Sequence, residues 1–209
     1  MATSDETATL LAAGVSGDAL ATLQSGLRGE LLRPGSPGYD AARRIWNGMV
    51  DKRPGVIVRC AGVSDALLGV RFARETGAPI AVRGGGHNGP GFGTVEGGLV
   101  IDLSEMNAVD VDPAARTVRA QGGATWGAVD AATHQHGLAL PAGIFSTTGV
   151  GGLTLGGGHG YLSRKYGLTI DNLLAAEVVL ADGRVVTASE TEHPDLFWAL
   201  RGGGATSGS

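Results

Sequence analysis

Two clusters of glycine do most to restrict how this chain can fold: Arg83-Gly84-Gly85-Gly86-His87-Asn88 and, about sixty residues later, Gly149-Val150-Gly151-Gly152 followed by Gly156-Gly157-Gly158-His159-Gly160. Backbone without β-carbons reaches positive φ and brings peptide N–H groups within hydrogen-bond distance of an anion, so two such surfaces suit a diphosphate. A dinucleotide cofactor is the natural ligand. Glycine accounts for 37 of the 209 residues, far above the usual ~7 %, so ordinary turns explain some of these clusters. Position separates the first from a plain turn. Pro79-Ile80-Ala81-Val82 is a short apolar run that reads as a buried strand feeding straight into the loop, and strand ends are where open α/β sheets bind ligands.

Net charge is −4 and there is no Lys/Arg-rich stretch or basic helix, which argues against nucleic acid or an anionic membrane as partner and for a small-molecule substrate. The chain opens on Met1-Ala2-Thr3-Ser4-Asp5-Glu6, with acids where a secretory leader carries bases, and no run approaches the ~20 apolar residues of a membrane span. A cytoplasmic location is expected. The single cysteine, Cys60, closes the strand-like run Val56-Ile57-Val58-Arg59 and reads as a core thiol, so neither a disulfide framework nor a cysteine-based metal site is available.

The hydrophobic content, 43 %, is enough to bury a core. The expected organisation is a helical support segment at 1–50 followed by one domain at 51–209. Within the first segment, residues 1 to 27 show weak helical periodicity, and a turn at Pro34-Gly35-Ser36-Pro37-Gly38 precedes a short helix at 39–46. A strand at 56–59, a helix at 65–76 with Ser64 as N-cap and Leu67, Val70 and Arg74 near one face, a stop at Gly77 and a strand at 80–82 make a β-α-β unit. Further strands are expected at 98–103, in a hairpin at 109–113 and 117–120, and in a second hairpin at 176–180 and 184–187. Between the hairpins a helix begins after Thr125 and stops at Gly137, with Trp126, Val129 and Thr133 along one side; a last one starts at His193-Pro194-Asp195. Hairpins outnumber crossovers, which indicates α+β rather than a doubly wound sheet.

A Rossmann fingerprint fails, because the register from Gly149 puts Thr154 where the last glycine of G-x-G-x-x-G belongs, and no P-loop sequence exists. His134 and His136 stand two apart on a helical pattern and face different ways, so no metal is expected.

Three strings together resemble a known family: Ile80-Ala81-Val82-Arg83-Gly84-Gly85-Gly86-His87-Asn88; the block from Gly149 through Gly156-Gly157-Gly158-His159-Gly160-Tyr161-Leu162-Ser163-Arg164-Lys165-Tyr166-Gly167-Leu168-Thr169-Ile170-Asp171-Asn172; and Asp195-Leu196-Phe197-Trp198-Ala199-Leu200-Arg201-Gly202-Gly203-Gly204. In order and spacing they are similar to FAD-linked oxidases of the vanillyl-alcohol-oxidase superfamily, berberine-bridge-enzyme-like branch, over residues 40–204. The resemblance implies a two-lobed α+β FAD-binding domain of the PCMH type, with a small β-α-β lobe and a larger lobe of mixed or antiparallel sheet flanked by helices.

It also carries roles onto matching positions. His87, followed by Asn88, falls where the family bonds the flavin 8α-carbon to imidazole. Arg83, Gly84, Gly85 and Gly86 would cradle the pyrophosphate with Gly149, Val150, Gly151 and Gly152, beside Ser146 and Thr147. Gly156, Gly157, Gly158, His159 and Gly160, with Ile170 and Asn172, would lie along the isoalloxazine and ribityl side, and the adenine would rest near Val178 and Val179. Neutral imidazole is a competent nucleophile near neutral pH, which suits His87 to such a bond; a capping or hydrogen-bonding histidine is the alternative. His159 is expected to pack beside the flavin rather than to react.

Two departures stand out. Where some relatives place a cysteine for a second flavin bond, Ala142-Gly143-Ile144 is followed by Phe145, so one covalent bond at most is expected. Relatives also continue past the Arg201-Gly202-Gly203-Gly204 motif into a substrate-binding part, while this sequence closes on Ala205-Thr206-Ser207-Gly208-Ser209; the substrate lid and the usual base are expected to be missing. The resemblance implies an oxidase that moves hydride from an alcohol or amine carbon of a sugar or secondary metabolite to flavin and then to dioxygen, with no catalytic residue assigned. The alternatives are a non-catalytic flavin-binding fragment and a glycine-rich module without cofactor.

Overall fold

The computed structural model describes residues 15–203, so the expected helical periodicity before residue 15, and Gly204 with the polar tail, lie outside the described residues. The chain divides into two compact units, one running to Glu105 and including Ala181–Arg184, the other formed by Met106–Leu180 and the residues from Val185 on.

The first unit is built on a four-stranded sheet in the order β1-β2-β4-β3, where β1 is Glu30–Leu32, β2 Val56–Arg59, β3 Ile80–Arg83 and β4 Leu99–Asp102. β2, β4 and β3 run parallel and β1 is antiparallel at the edge. The apolar residues of β2 and β4 are no more than 2 % exposed, as expected of parallel strands covered on both faces. Helix α1 (Gly17–Gly26) leads into β1, and α2 (Tyr39–Ala42) is shorter than the helix expected at 39–46. The leading segment is therefore not helical throughout: Glu30, Leu31 and Leu32 pair with Arg59, Val58 and Ile57.

Helix α3 (Val63–Thr76) connects β2 to β3 and ends at Gly77. Its buried face is Asp65, Ala66, Gly69, Phe72 and Ala73 rather than the side of Leu67, Val70 and Arg74, and its N-cap is Gly62 rather than Ser64. The buried Asp65 explains the difference. Its carboxylate accepts the backbone N–H groups of Arg28 and Gly29, both at 3.0 Å, and of Ala61 at 2.8 Å, tying the α1–β1 connection to the start of α3. Cys60 is fully buried, and burial pushes its thiol up to about 12.

Strand β4 lies between β2 and β3, so the residues joining β3 to β4 form a crossover between parallel neighbours without a helix. The first glycine cluster opens that connection at the C-terminal end of β3.

The second unit carries two separate antiparallel ladders, β5 (Val109–Asp112) with β6 (Thr117–Ala120) and β7 (Ala175–Val179) with β8 (Val185–Ser189). Helix α4 (Trp126–His134) buries Trp126, Val129 and Thr133, the side its sequence marked. After it come α5 (Val150–Leu155), α6 (Ser163–Tyr166), a 3-10 turn at Ile170–Asn172 and α7 (Pro194–Leu200). Phe197 and Leu200 of α7 bury against Ala188. No helix among the described residues is long and apolar enough to cross a membrane.

Candidate functional site

In the first unit, Arg83 works inward. Its guanidinium is buried, with Nε donating to Asp102 Oδ1 at 3.2 Å and Nη2 to Oδ2, while Nη1 donates to the carbonyls of Ala42 and, at 3.2 Å, Arg44. Asp102 is fully buried at the end of β4 and also accepts the N–H of Ser104 at 3.1 Å. Arg83 itself stands in the ladder opposite Asp102, so the backbone that can face a ligand begins at Gly84.

The loop beyond is backed by residues 45–50. The N–H of Trp46 donates to Gly86 O at 3.0 Å, and Asn47 Nδ2 to Gly89 O at 2.8 Å. His87, partly exposed, stacks on the Trp46 indole with ring centroids 5.4 Å apart and planes 21° off parallel. Desolvation lowers its pKa below the ordinary 6.5, so the ring is neutral at pH 7. The Asn88 side chain shapes its own turn, accepting the N–H of Phe92 at 3.0 Å.

In the second unit, residues 146–150 are pinned to the start of α4: Trp126 N–H donates to Thr148 O at 2.9 Å, Gly127 N–H to Ser146 O at 2.8 Å and Val150 N–H to Ala124 O at 2.8 Å. The side chains of Ser146 and Thr147 are exposed. Gly149, Val150, Gly151 and Gly152 are not an open loop, as their composition suggested, but the N-cap and first turn of α5. Gly152 has no packing reason to be glycine, because a β-carbon there would meet nothing within 4 Å; at Gly151 it would meet only Gly122 O at 3.5 Å. Glycine inside a helix costs about 0.5–1 kcal/mol relative to alanine, so a bare surface is kept here without internal need. That is the cradle expected of residues that face a bound group.

The run from Gly156 to Gly160 is different. Gly158 has φ +74° and lies against Thr169, and a β-carbon on Gly160 would run into the carbonyl of Ala142. Both are glycines that packing requires. The N–H groups of Thr169 and Ile170 donate to Gly158 O at 2.9 Å and Gly157 O at 3.0 Å, which brings Ile170 against the glycine run. Asn172 spends its amide on the carbonyls of Tyr166 and Leu168, at 3.1 and 2.8 Å. His159 is exposed. Val178 packs against the cluster of Ala188, Phe197 and Leu200, and strand alternation turns Val179 to the other face.

The FAD binding domain family matches residues 54–189, which include His87, both glycine clusters and the β7–β8 hairpin. The chain belongs to this family. Within it, the sequence is 42 % identical over 182 residues to (R)-6-hydroxynicotine oxidase of Paenarthrobacter nicotinovorans, covering 87 % of this chain and 40 % of that protein. Among solved structures, BBE-like 1 of Physcomitrella patens superposes with a TM-score of 0.82 at 33 % identity, covering 91 % of this chain and 42 % of that one. The xylooligosaccharide oxidase of Myceliophthora thermophila also gives 0.82, at 35 % identity, over 88 % of this chain and 40 % of that one. This is a PCMH-type FAD-binding domain of the berberine-bridge-enzyme-like branch, with the mixed α+β fold of its relatives, and it is homologous to FAD-dependent oxidoreductases. It spans about 40 % of the length of these relatives.

Trp46, Asn47 and Asp102 are the residues that sequence reasoning missed. Asp102 left a trace, a charge closing the buried run Leu99-Val100-Ile101. Trp46 and Asn47 left none, since their contacts are with a loop distant in sequence.

Proposed function

We propose that this FAD-binding domain holds FAD as the redox centre of an oxidase, with His87 as its covalent attachment point. The observation that carries the reading is the pair Gly151 and Gly152, bare of β-carbons on a helix where protein packing does not ask for it. In the first unit Gly84, Gly85 and Gly86, and in the second the turn Gly149, Val150, Gly151 and Gly152, each offer backbone N–H groups of the kind that bind a pyrophosphate. The Arg83 side chain contributes indirectly, by fixing the strand end from which the loop starts. Gly156, Gly157 and Gly158, with Ile170, line the isoalloxazine side, and Val179 lies by the adenine.

When bound, the isoalloxazine supplies a two-electron acceptor that passes electrons on to dioxygen. The chain's own task is to hold it, to keep His87 neutral and nucleophilic, and to leave one side open to substrate. Relatives named for a hydroxynicotine and for a xylooligosaccharide support an alcohol or amine carbon of a sugar or secondary metabolite as the hydride donor. Net charge −4 supports a small molecule rather than nucleic acid or membrane as partner.

The alternative reading of the same residues is flavin binding without turnover. Anaerobic mixing of the FAD-loaded chain with sugars, secondary alcohols and cyclic amines, followed by flavin absorbance, separates the two. Bleaching at ~1 s⁻¹ or faster, within the ordinary enzyme range, supports the oxidase; no bleaching by any of them supports the binding-only reading.

A further inference from the structure

Resting on the reading of His87 as the flavin attachment point, we propose that Trp46 is the positioning residue for that attachment: its indole holds the imidazole ring by one face so that a ring nitrogen is presented to the flavin 8α-carbon.

The geometry begins with a stiff strap, residues 39–54. At its base Tyr39 is buried and donates its hydroxyl to Pro54 O at 2.6 Å. Arg43 bonds the carboxylates of Asp40, at 2.7 Å, and Asp51, closing the strap across its width. Trp46 and Asn47 stand at its far end, where they take the carbonyls of Gly86 and Gly89 on either side of His87. The strap and the loop are tied by one buried group as well. The guanidinium of Arg83, four residues before His87, donates to the carbonyls of Ala42 and Arg44, just before Trp46, and is itself held by Asp102. Both rings of the stack are thus referred to the same anchor at the end of the parallel sheet.

Why a stack suits this step follows from where the reacting electrons are. Imidazole attacks through the lone pair of a ring nitrogen, which lies in the ring plane. A partner on the ring face fixes the plane and excludes water from one side without using that lone pair. Trp46 is 65 % exposed, so its indole is outside the core, and the ring it stacks on is His87.

The step balances as follows. His87 forms one N–C bond to the 8α-carbon; one C–H bond of the methyl group and one imidazole N–H bond break, and the two protons and two electrons released reduce dioxygen, the oxidant, to hydrogen peroxide. Trp46 takes no part in the bond changes. Its effect is on the fraction of time the nitrogen is aimed, and misplacement of a reacting group by about an ångström costs up to roughly a hundredfold in rate.

The test uses the full chain refolded or expressed without flavin and then mixed with FAD in air. Covalent incorporation is read as in-gel flavin fluorescence after denaturation, and non-covalent binding as quenching of FAD fluorescence before it. Trp46→Ala should slow covalent incorporation by roughly tenfold to a hundredfold while the dissociation constant for FAD moves little. Trp46→Phe, which keeps a flat ring on the imidazole, should restore most of the rate, and Trp46→Leu, bulky without a flat ring, should not. Far-UV circular dichroism and melting of each variant separate a folding defect from a positioning one, and the Phe against Leu contrast stands if the Ala variant folds poorly. Equal rates in wild type, Ala and Leu variants would overturn the inference while leaving His87 as attachment point. FAD that binds wild type but never becomes covalent would overturn the attachment itself and the inference with it.

Discussion

Arg83 and Asp102 meet as a buried, two-pronged ion pair at the ends of neighbouring parallel strands, with Nε to Oδ1 at 3.2 Å and Nη2 to Oδ2. The pair closes the sheet where the first glycine loop departs, and Asp102 is fully buried. Removing Asp102 leaves the buried Arg83 guanidinium without its carboxylate and takes the same partner from Arg59, whose Nε lies 3.7 Å from Asp102 Oδ2. Asp102→Ala should lower the unfolding free energy by about 3–5 kcal/mol, measured by urea denaturation. A double variant, Arg83→Met with Asp102→Leu, should recover part of that loss, because the Arg83 charge goes with its partner and the remaining cation, Arg59, keeps Glu30 at 3.0 Å.

Glycines of the two kinds should separate in mutants. Gly152→Val places its side chain in open space, so the chain should keep its melting temperature within a few degrees and lose FAD binding. Gly160→Ala drives a β-carbon into Ala142 O, so it should lose about 1–3 kcal/mol of stability or more whether or not FAD is present. Equal FAD affinity in Gly152→Val and wild type would remove that surface from the site.

Cys60 should be silent to thiol reagents. With its pKa pushed up to about 12 and its side chain fully buried, the native chain should show no titre with a disulfide reagent at pH 8, and one equivalent after unfolding. The folded state holds this proton more tightly, so the contribution is complete below the ordinary thiol pKa and is lost as pH rises toward 12.

How much of this could be read from residues alone depends on the kind of interaction. The β2 strand and the β5–β6 hairpin lie where their apolar run and turn residues placed them, because both signals are local. Strand β1 was missed: Glu30-Leu31-Leu32 has no alternation of its own and becomes a strand by pairing with β2. Helix α5 was missed for the opposite reason. Its glycines oppose helix locally, and contacts such as Val150 N–H to Ala124 O and the close approach of Gly143 to Leu153 impose it. At the candidate site, the place of His87 in a glycine loop just past a strand end was legible. Its neighbour Trp46 and the inward role of Arg83 belong to tertiary structure.

The pH dependence of flavin attachment should report on His87. Burial lowers its pKa below 6.5, so the nucleophilic neutral ring persists below the value of an exposed histidine. Covalent incorporation should fall as pH drops through the lowered pKa, with the midpoint of its acid limb below 6.5. Incorporation rates from pH 5 to 8 check this, and an acid limb centred above 6.5 would contradict the desolvated stack.

The central claim is that this chain holds FAD through His87, and acid precipitation after loading tests it most directly. Wild-type chain incubated with FAD, precipitated and washed should keep yellow colour in the pellet at one flavin per chain, and His87→Ala should bind FAD yet release it all to the supernatant. Failure of the folded wild-type chain to take up FAD, or colour that stays in the His87→Ala pellet, would contradict the account.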